Sequence, residues 1–199
     1  MNNVVFDEAT HCYTVDGEEL PSVTHICRFL SVDVTAKASP WLRDIAADRG
    51  SRVHAYTVVL DYGEEPEDID PDCEGYVLAY RRFLKDYKPE WAGIETVMGS
   101  VKLGYAGTCD RYGTVNGVST VVDIKTGSTL NKVAVNSQLE GYDYLLMETK
   151  QFYPEACCVL HLRKDGTYDY RDLVEECDSL WGECFTLHKT LSQKGLTLR

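Results

Sequence analysis

One short run limits what this chain can become. In Val121-Val122-Asp123-Ile124-Lys125-Thr126-Gly127 the β-branched apolar residues call for a buried strand, yet Asp123 and Lys125 interrupt it. Side chains alternate faces along a strand, so residues two apart share a face. An acid and a base on one face of a core strand are costly to bury without a partner or a task. Upstream, Gly107-Thr108-Cys109-Asp110 closes another β-like segment, and Asn116-Gly117 between the two is a strong hairpin signal. A tight hairpin sets Asp110 and Asp123 on adjacent strands, where two carboxylates and a lysine converge.

That convergence suits a hard divalent cation. Magnesium takes oxygen ligands in octahedral geometry, which two Asp side chains, a backbone carbonyl and waters supply. A lysine beside the metal can lower the pKa of an attacking water or steady charge on a phosphate. The competing reading is a plain Asp–Lys ion pair on a half-exposed strand, and the tripeptide alone favours it. Other residues shift the weighting. Gly50 and His54 stand one helical turn apart, as do Gln138 and Tyr142 on the helix after the Asp-x-Lys strand. Glu95 is a third acid, set in an otherwise apolar strand.

The rest of the chain alternates element types. Val4 to Phe6 and Cys12 to Val15 read as a hairpin or a pair of short strands. Pro21-Ser22-Val23-Thr24 opens a helix with Ser22 or Thr24 as N-cap. Pro40 starts a longer helix that runs to about Tyr62 and stops at Gly63, with Leu42, Ile45, Val53, Tyr56 and Leu60 as its apolar stripe. Asp70-Pro71 caps another, reaching roughly Tyr87. Ile94 to Met98, Tyr105 to Arg111 and Val115 to Ile124 are β-like. Lys132 to about Glu148 is helical, with Leu139, Tyr142, Leu145 and Leu146 as apolar positions. Cys157 to Leu162 and Thr167 to Tyr170 form a last strand pair, and Asp172 to Leu191 a terminal helix. No linker or repeat divides the 199 residues, so one mixed α/β domain is expected. It comprises an N-terminal hairpin and helices (1–90), a catalytic sheet and helix (91–150), and C-terminal strands and helix (151–199).

Charge narrows the partners. The net charge of −12 argues against holding nucleic acid by bulk electrostatics, but leaves room for a metal-dependent nuclease with local contacts. Asp61, Glu64, Glu65, Glu67, Asp68, Asp70, Asp72 and Glu74 supply two thirds of that excess. This run reads as a solvated loop between helices, or more sharply as a flank that repels nucleic acid and so defines an entrance elsewhere. No apolar stretch is long enough to span a membrane, and no signal-peptide pattern opens the chain, so a cytoplasmic protein is expected. The eight cysteines then read as reduced, mostly buried thiols.

Taken in order, G-x-x-x-H, E, G-x-x-D, D-x-K and Q-x-x-x-Y resemble the PD-(D/E)XK nuclease superfamily in its RecB-like branch. His11-Cys12-Tyr13 and Leu20-Pro21-Ser22-Val23-Thr24 are similar to phage-type and mitochondrial genome maintenance exonucleases of that branch. The resemblance implies a restriction-endonuclease-like α/β core, a central mixed sheet flanked by helices. It implies one or two magnesium or manganese ions on Asp110, Asp123, the Ile124 carbonyl and the His54 imidazole. Lys125 would position or activate the water, Glu95 would assist through a water of the metal, and Gln138 and Tyr142 would orient Lys125 or the strand. The reaction implied is hydrolysis of DNA, single-stranded or at ends, in phage-type replication, recombination or repair. A recombination or annealing protein is a further partner, and the host-cell cytoplasm the location if the gene is a phage's. Cys109 replaces the proline before Asp110, and Asp123 is the acid before Lys125; both look like normal variants in this branch.

Arg49, Arg52, Arg111 and Lys132, and with them Arg81, Arg82 and Lys102, are the candidate DNA contacts. Some members of the branch hold an iron–sulfur cluster on one N-terminal and three clustered C-terminal cysteines. Cys27 could be the first, but Cys157, Cys158, Cys177 and Cys184 contain no C-x-x-C group, so no cluster is expected. The alternative function is a catalytically silent nuclease-fold module that binds or regulates a protein partner. RNA cleavage by the same centre is not separable by sequence, because the metal chemistry does not depend on the sugar.

Overall fold

The computed structural model describes residues 3–31 and 39–196. Its first element is a small antiparallel sheet of β1 (Val4–Asp7), β2 (Cys12–Val15) and β3 (Glu18–Leu20). Only the first two strands were expected; Glu18-Glu19-Leu20 carries no apolar alternation, and its pairing comes from the Asp16-Gly17 turn, where both residues have positive φ. Helix α1 (Val23–Cys27) follows, with the Ser22 hydroxyl accepting from the His25 amide at 3.0 Å, so Ser22 is the cap. Two longer helices come next, α2 (Pro40–Asp61) and α3 (Glu74–Tyr87).

Five strands build the central sheet in chain order: β4 (Glu90–Ser100), β5 (Tyr105–Val115), β6 (Val118–Lys125), β7 (Ala156–Leu162) and β8 (Tyr168–Asp172). All neighbours are antiparallel except β6 and β7, which run parallel. A parallel pair needs a crossover, and α4 (Lys132–Lys150) supplies it. A final helix, α5 (Trp181–Gln193), closes the described chain. The architecture is thus the expected mixed α/β one, a central mixed sheet flanked by helices.

Strand alternation divides the core in two. Val121 and Val159 face α1, α4 and α5 and pack with Val23, Leu139, Leu145 and Trp181. Val122, Ile124, Leu160 and Leu162 face α2 and α3 and pack with Val53, Leu60, Val77 and Phe83. The N-terminal sheet docks on β4 and β5, with Tyr13, Val15, Leu20 and Ala106 buried together.

Strands β4 and β5 are longer than the sequence reading, β6 starts three residues later, and three helices depart from it. The stripe assigned to α2 is only half buried: Val53 and Leu60 are inside, but Leu42 and Ile45 are 52% and 39% exposed. Helix α3 begins at Glu74 rather than at Asp70-Pro71, since the Asp70 and Asp72 carboxylates are taken by Arg52 instead of capping the helix. Helix α5 begins at Trp181 rather than Asp172. Asp172 belongs to β8, and the connection lies on α4, where Asn136 donates to the Cys177 carbonyl and Ser137 accepts from the Leu180 amide. Among the described residues no helix is long and apolar enough to cross a membrane.

Candidate metal centre

The β5–β6 hairpin pairs Arg111 with Val122, which sets Asp110 and Asp123 just beyond the last paired residues. There the Ile124 amide donates to Asp110 Oδ2 at 2.7 Å, a side-chain bond that continues the ladder. Asp123 is 4% exposed, and its Oδ2 lies 2.7 Å from Lys125 Nζ. The Lys125 ammonium is the ion-pair partner of that buried oxygen.

Glu95 comes from β4. The register pairs Ile94 with Arg111 and Thr96 with Cys109, so Glu95 stands opposite Asp110. Its φ is +42°, a left-handed conformation that a glutamate in mid-strand adopts only under constraint from its surroundings. That twist interrupts strand alternation locally and re-aims the carboxylate. His54 arrives from α2: Nδ1 is 3.1 Å from Glu95 Oε1 and 3.8 Å from Asp110 Oδ1, and Nε2 is 3.2 Å from the Ile124 carbonyl. One ligand atom from each of His54, Glu95 and Asp110 lies within 4.8 Å of the others. A turn earlier, a Cβ on Gly50 would stand 3.4 Å from Thr126 Oγ1, an ordinary contact with a side chain. A cleft of about 470 Å³, lined by Gly50, Ser51, His54, Glu95 and Thr108, opens the centre to solvent.

The electrostatics are those of a buried cluster of acids and cations in close contact. Burial raises Asp110 to about 6, with His54 opposing and the Asp123 and Glu95 charges adding. Burial disfavours the His54 imidazolium, yet Asp110 and Glu95 outweigh it and raise His54 to about 9. Glu95, pushed up by burial, is held below its ordinary value by His54 and Arg111. Lys125 is pulled down by burial but raised overall by Asp123 and Asp110. The Glu95 and Asp110 carboxylates and the His54 imidazole, with the Ile124 carbonyl and Asp123 beside them, make a donor set that fits a hard divalent ion. The His54 imidazolium joins Lys125 and Arg111 as a counter-charge to these acids, and an ion bound to its nitrogen would displace that proton.

Behind the centre stands a buried support that sequence reasoning missed. Arg111 has a fully buried side chain: Nε donates to Asp61 Oδ2 at 2.6 Å, Nη1 to Glu95 Oε1 at 2.9 Å and to the Asp110 carbonyl at 2.6 Å, and Nη2 to Thr57 Oγ1 at 2.8 Å. Asp61 also accepts from Tyr80 and from the Trp91 indole, so it is no part of a solvated acidic loop. A signal existed: Asp61 follows His54 by two helical turns, on the same face of α2.

The expected DNA contacts fare unevenly. Arg111 is corrected to a support residue, since nothing outside the protein can touch it. The Arg52 guanidinium is committed to Asp48, Asp70 and Asp72. Lys132 pairs with Glu176, Arg81 with Glu65 and Lys102 with Glu148, while Arg82 donates to the Gly166 carbonyl. Arg49 carries no ion pair among the described residues. Tyr142 is buried on α4 with its hydroxyl on Thr24, close enough to feel Asp123; Gln138 is half-buried one turn earlier. Among the described residues no hydrogen bond ties either to Lys125. Of the cysteines considered for a cluster, Cys27 meets Cys184, while Cys157 and Cys158 point to opposite faces of β7.

No family model and no curated protein sequence matches this chain. Among solved structures it is similar to one described as "Crystal Structure of LHK-Exo in complex with dAMP", at 14% identity and a TM-score of 0.34, covering 88% of this chain and 93% of that one. A likeness that slight carries no residue roles, which rest on the side-chain geometry.

Proposed function

We propose that the chain is a metal-dependent nuclease that hydrolyses DNA phosphodiester bonds, acting on single strands or on ends. The observation that carries this reading is the meeting of ligand atoms of His54, Glu95 and Asp110 within 4.8 Å, with the Asp123–Lys125 ion pair on the strand next to Asp110. Preference for DNA and for ends comes from the resemblance of the spaced residues to RecB-like exonucleases.

Asp110, Asp123, the Ile124 carbonyl and His54 would hold one or two magnesium or manganese ions. When bound, such an ion would supply Lewis-acid polarisation of the phosphate and ease deprotonation of water. Lys125, a third exposed and anchored on Asp123, would orient the attacking water or neutralise a non-bridging phosphate oxygen. Glu95 faces the same space and accepts from the water. Arg111 holds Glu95 and the Asp110 backbone so that these groups need no rearrangement before reaction. The water oxygen bonds to phosphorus in line with the departing ester oxygen, which leaves with a proton.

The test is digestion of end-labelled single- and double-stranded DNA, linear and circular, with manganese, magnesium or EDTA, beside Lys125→Ala. Expected are metal-dependent loss of linear strands, circles spared, and a rate in the variant lower by about 10²–10⁴-fold. Absence of cleavage on every substrate overturns the reading in favour of a binding module, to be pursued through its protein partner.

A further inference from the structure

Beside the candidate metal centre lies a second cleft of about 760 Å³ whose lining is cationic: Arg43 and Arg49 from α2, and Arg163 and Lys164 from the β7–β8 turn. This placement stands out in a chain with 32 acids and 20 Lys plus Arg, where ion pairs consume Arg52, Arg81, Lys102, Arg111, Lys125, Lys132 and Arg171. Arg43, Arg49 and Lys164 have no acidic partner among the described residues. Arg163 reaches only Asp169, at 3.4 Å, and Arg171 already holds that carboxylate at 2.6 Å. Arg49 Nε is buried without an acceptor while its guanidinium lies 5.2 Å over the Tyr76 ring. The one acid of the lining, Asp165, is turned onto the Thr167 amide and hydroxyl.

The cleft is built, and it adjoins the centre. A Cβ on Gly75 would meet the Lys164 carbonyl oxygen at 1.8 Å, and Arg82 donates to the Gly166 carbonyl at 2.6 Å, so the turn carrying Arg163 and Lys164 is clamped to α3. His161, paired with Lys125 across β6 and β7, lies 2.6 Å through Nε2 from the carbonyl of Gly127, which lines the cleft. Helix α2 lines both openings, with Arg43 and Arg49 at the second cleft and Gly50 and His54 at the first. Uncommitted guanidinium and ammonium groups over a rigid floor are what the phosphates of a nucleic-acid strand require.

We infer that this cleft seats backbone phosphates of the substrate strand beside the scissile bond. The inference rests on the nuclease reading and adds Arg43, Arg163 and Lys164 to Arg49 as strand-holding residues. Its test reads binding rather than cleavage: fluorescence anisotropy of a labelled oligothymidylate in EDTA across a salt series. The proteins compared are the parent, Arg43→Gln/Lys164→Gln and, as control, Lys189→Gln on the exposed face of α5. In the double variant affinity falls by about tenfold or more, and the slope of log K against log salt shrinks by about 1.4, the loss of two phosphate contacts on a single strand. The control is unchanged in both. Unchanged affinity and slope in the double variant, while the parent still cleaves and Lys125→Ala does not, overturn the cleft and leave the nuclease standing. A parent that neither binds nor cleaves overturns both.

Discussion

Arg111 joins charge to burial at a single residue. A guanidinium taken wholly out of water is tolerable only where its charge and donors are met, and Asp61, Glu95, Thr57 and the Asp110 carbonyl meet them. Asp61→Asn therefore leaves a buried cation under-compensated and loosens Glu95 at the same time. Expected is a loss of about 3–5 kcal/mol in unfolding free energy, checked by urea denaturation, with weaker metal-dependent cleavage under conditions where the variant stays folded. Asp110, Asp123 and Lys125 were legible because alternation and a hairpin signal act over a few residues. The Arg111–Asp61 pair was not, because its partners stand 50 residues apart and their contact exists only once α2 lies across the sheet.

At the level of elements, α4 shows how a helix can be read correctly and still hide a cost. Its apolar positions Leu139, Tyr142, Leu145 and Leu146 are all buried, as their spacing predicts. On the same helix Asp143 is raised to about 6 by burial and then by the Glu140 charge, and its Oδ1 is buried without a partner. Tyr105 and Cys157 stand near enough to feel that charge. A carboxyl that binds its proton more tightly when folded costs nothing below about pH 4. The cost grows as pH rises and is complete once pH passes the folded value near 6. Asp143→Asn should accordingly match the parent at pH 4 and exceed it by on the order of 1 kcal/mol at pH 8, allowing for its partial exposure. Thermal melts at the two pH values decide this; an equal difference at both refutes it. Elsewhere local signals misled: the α2 periodicity continues through Leu42 and Ile45, but no packed element covers those turns among the described residues.

Across the whole molecule, charge is segregated rather than spread. Arg52 gathers Asp48, Asp70 and Asp72, one site packs carboxylates around His54, Lys125 and Arg111, and one cleft gathers four cations of which only Arg163 has an acidic partner among the described residues. A divalent ion that binds the folded site alone stabilises the fold by mass action, about 2.7 kcal/mol at a hundred times its Kd. For a chain of this size that raises the melting temperature by roughly 5–10 °C. Manganese should produce the shift in the parent and not in Asp110→Asn, a readout independent of cleavage; an equal shift in both would place the ion elsewhere. The sequence by itself determined the hairpin around Asp110 and Asp123, the helix over Lys132 to about Glu148, and the identity of the acids and lysine on those strands, because turn chemistry and side-chain alternation are local. Only the tertiary structure decided which arginines remain free, what holds Glu95 in a left-handed conformation, and that Arg43, Arg49, Arg163 and Lys164 share one cleft. Whether a charge is neutralised depends on neighbours brought from distant parts of the chain, and no local pattern encodes that distance.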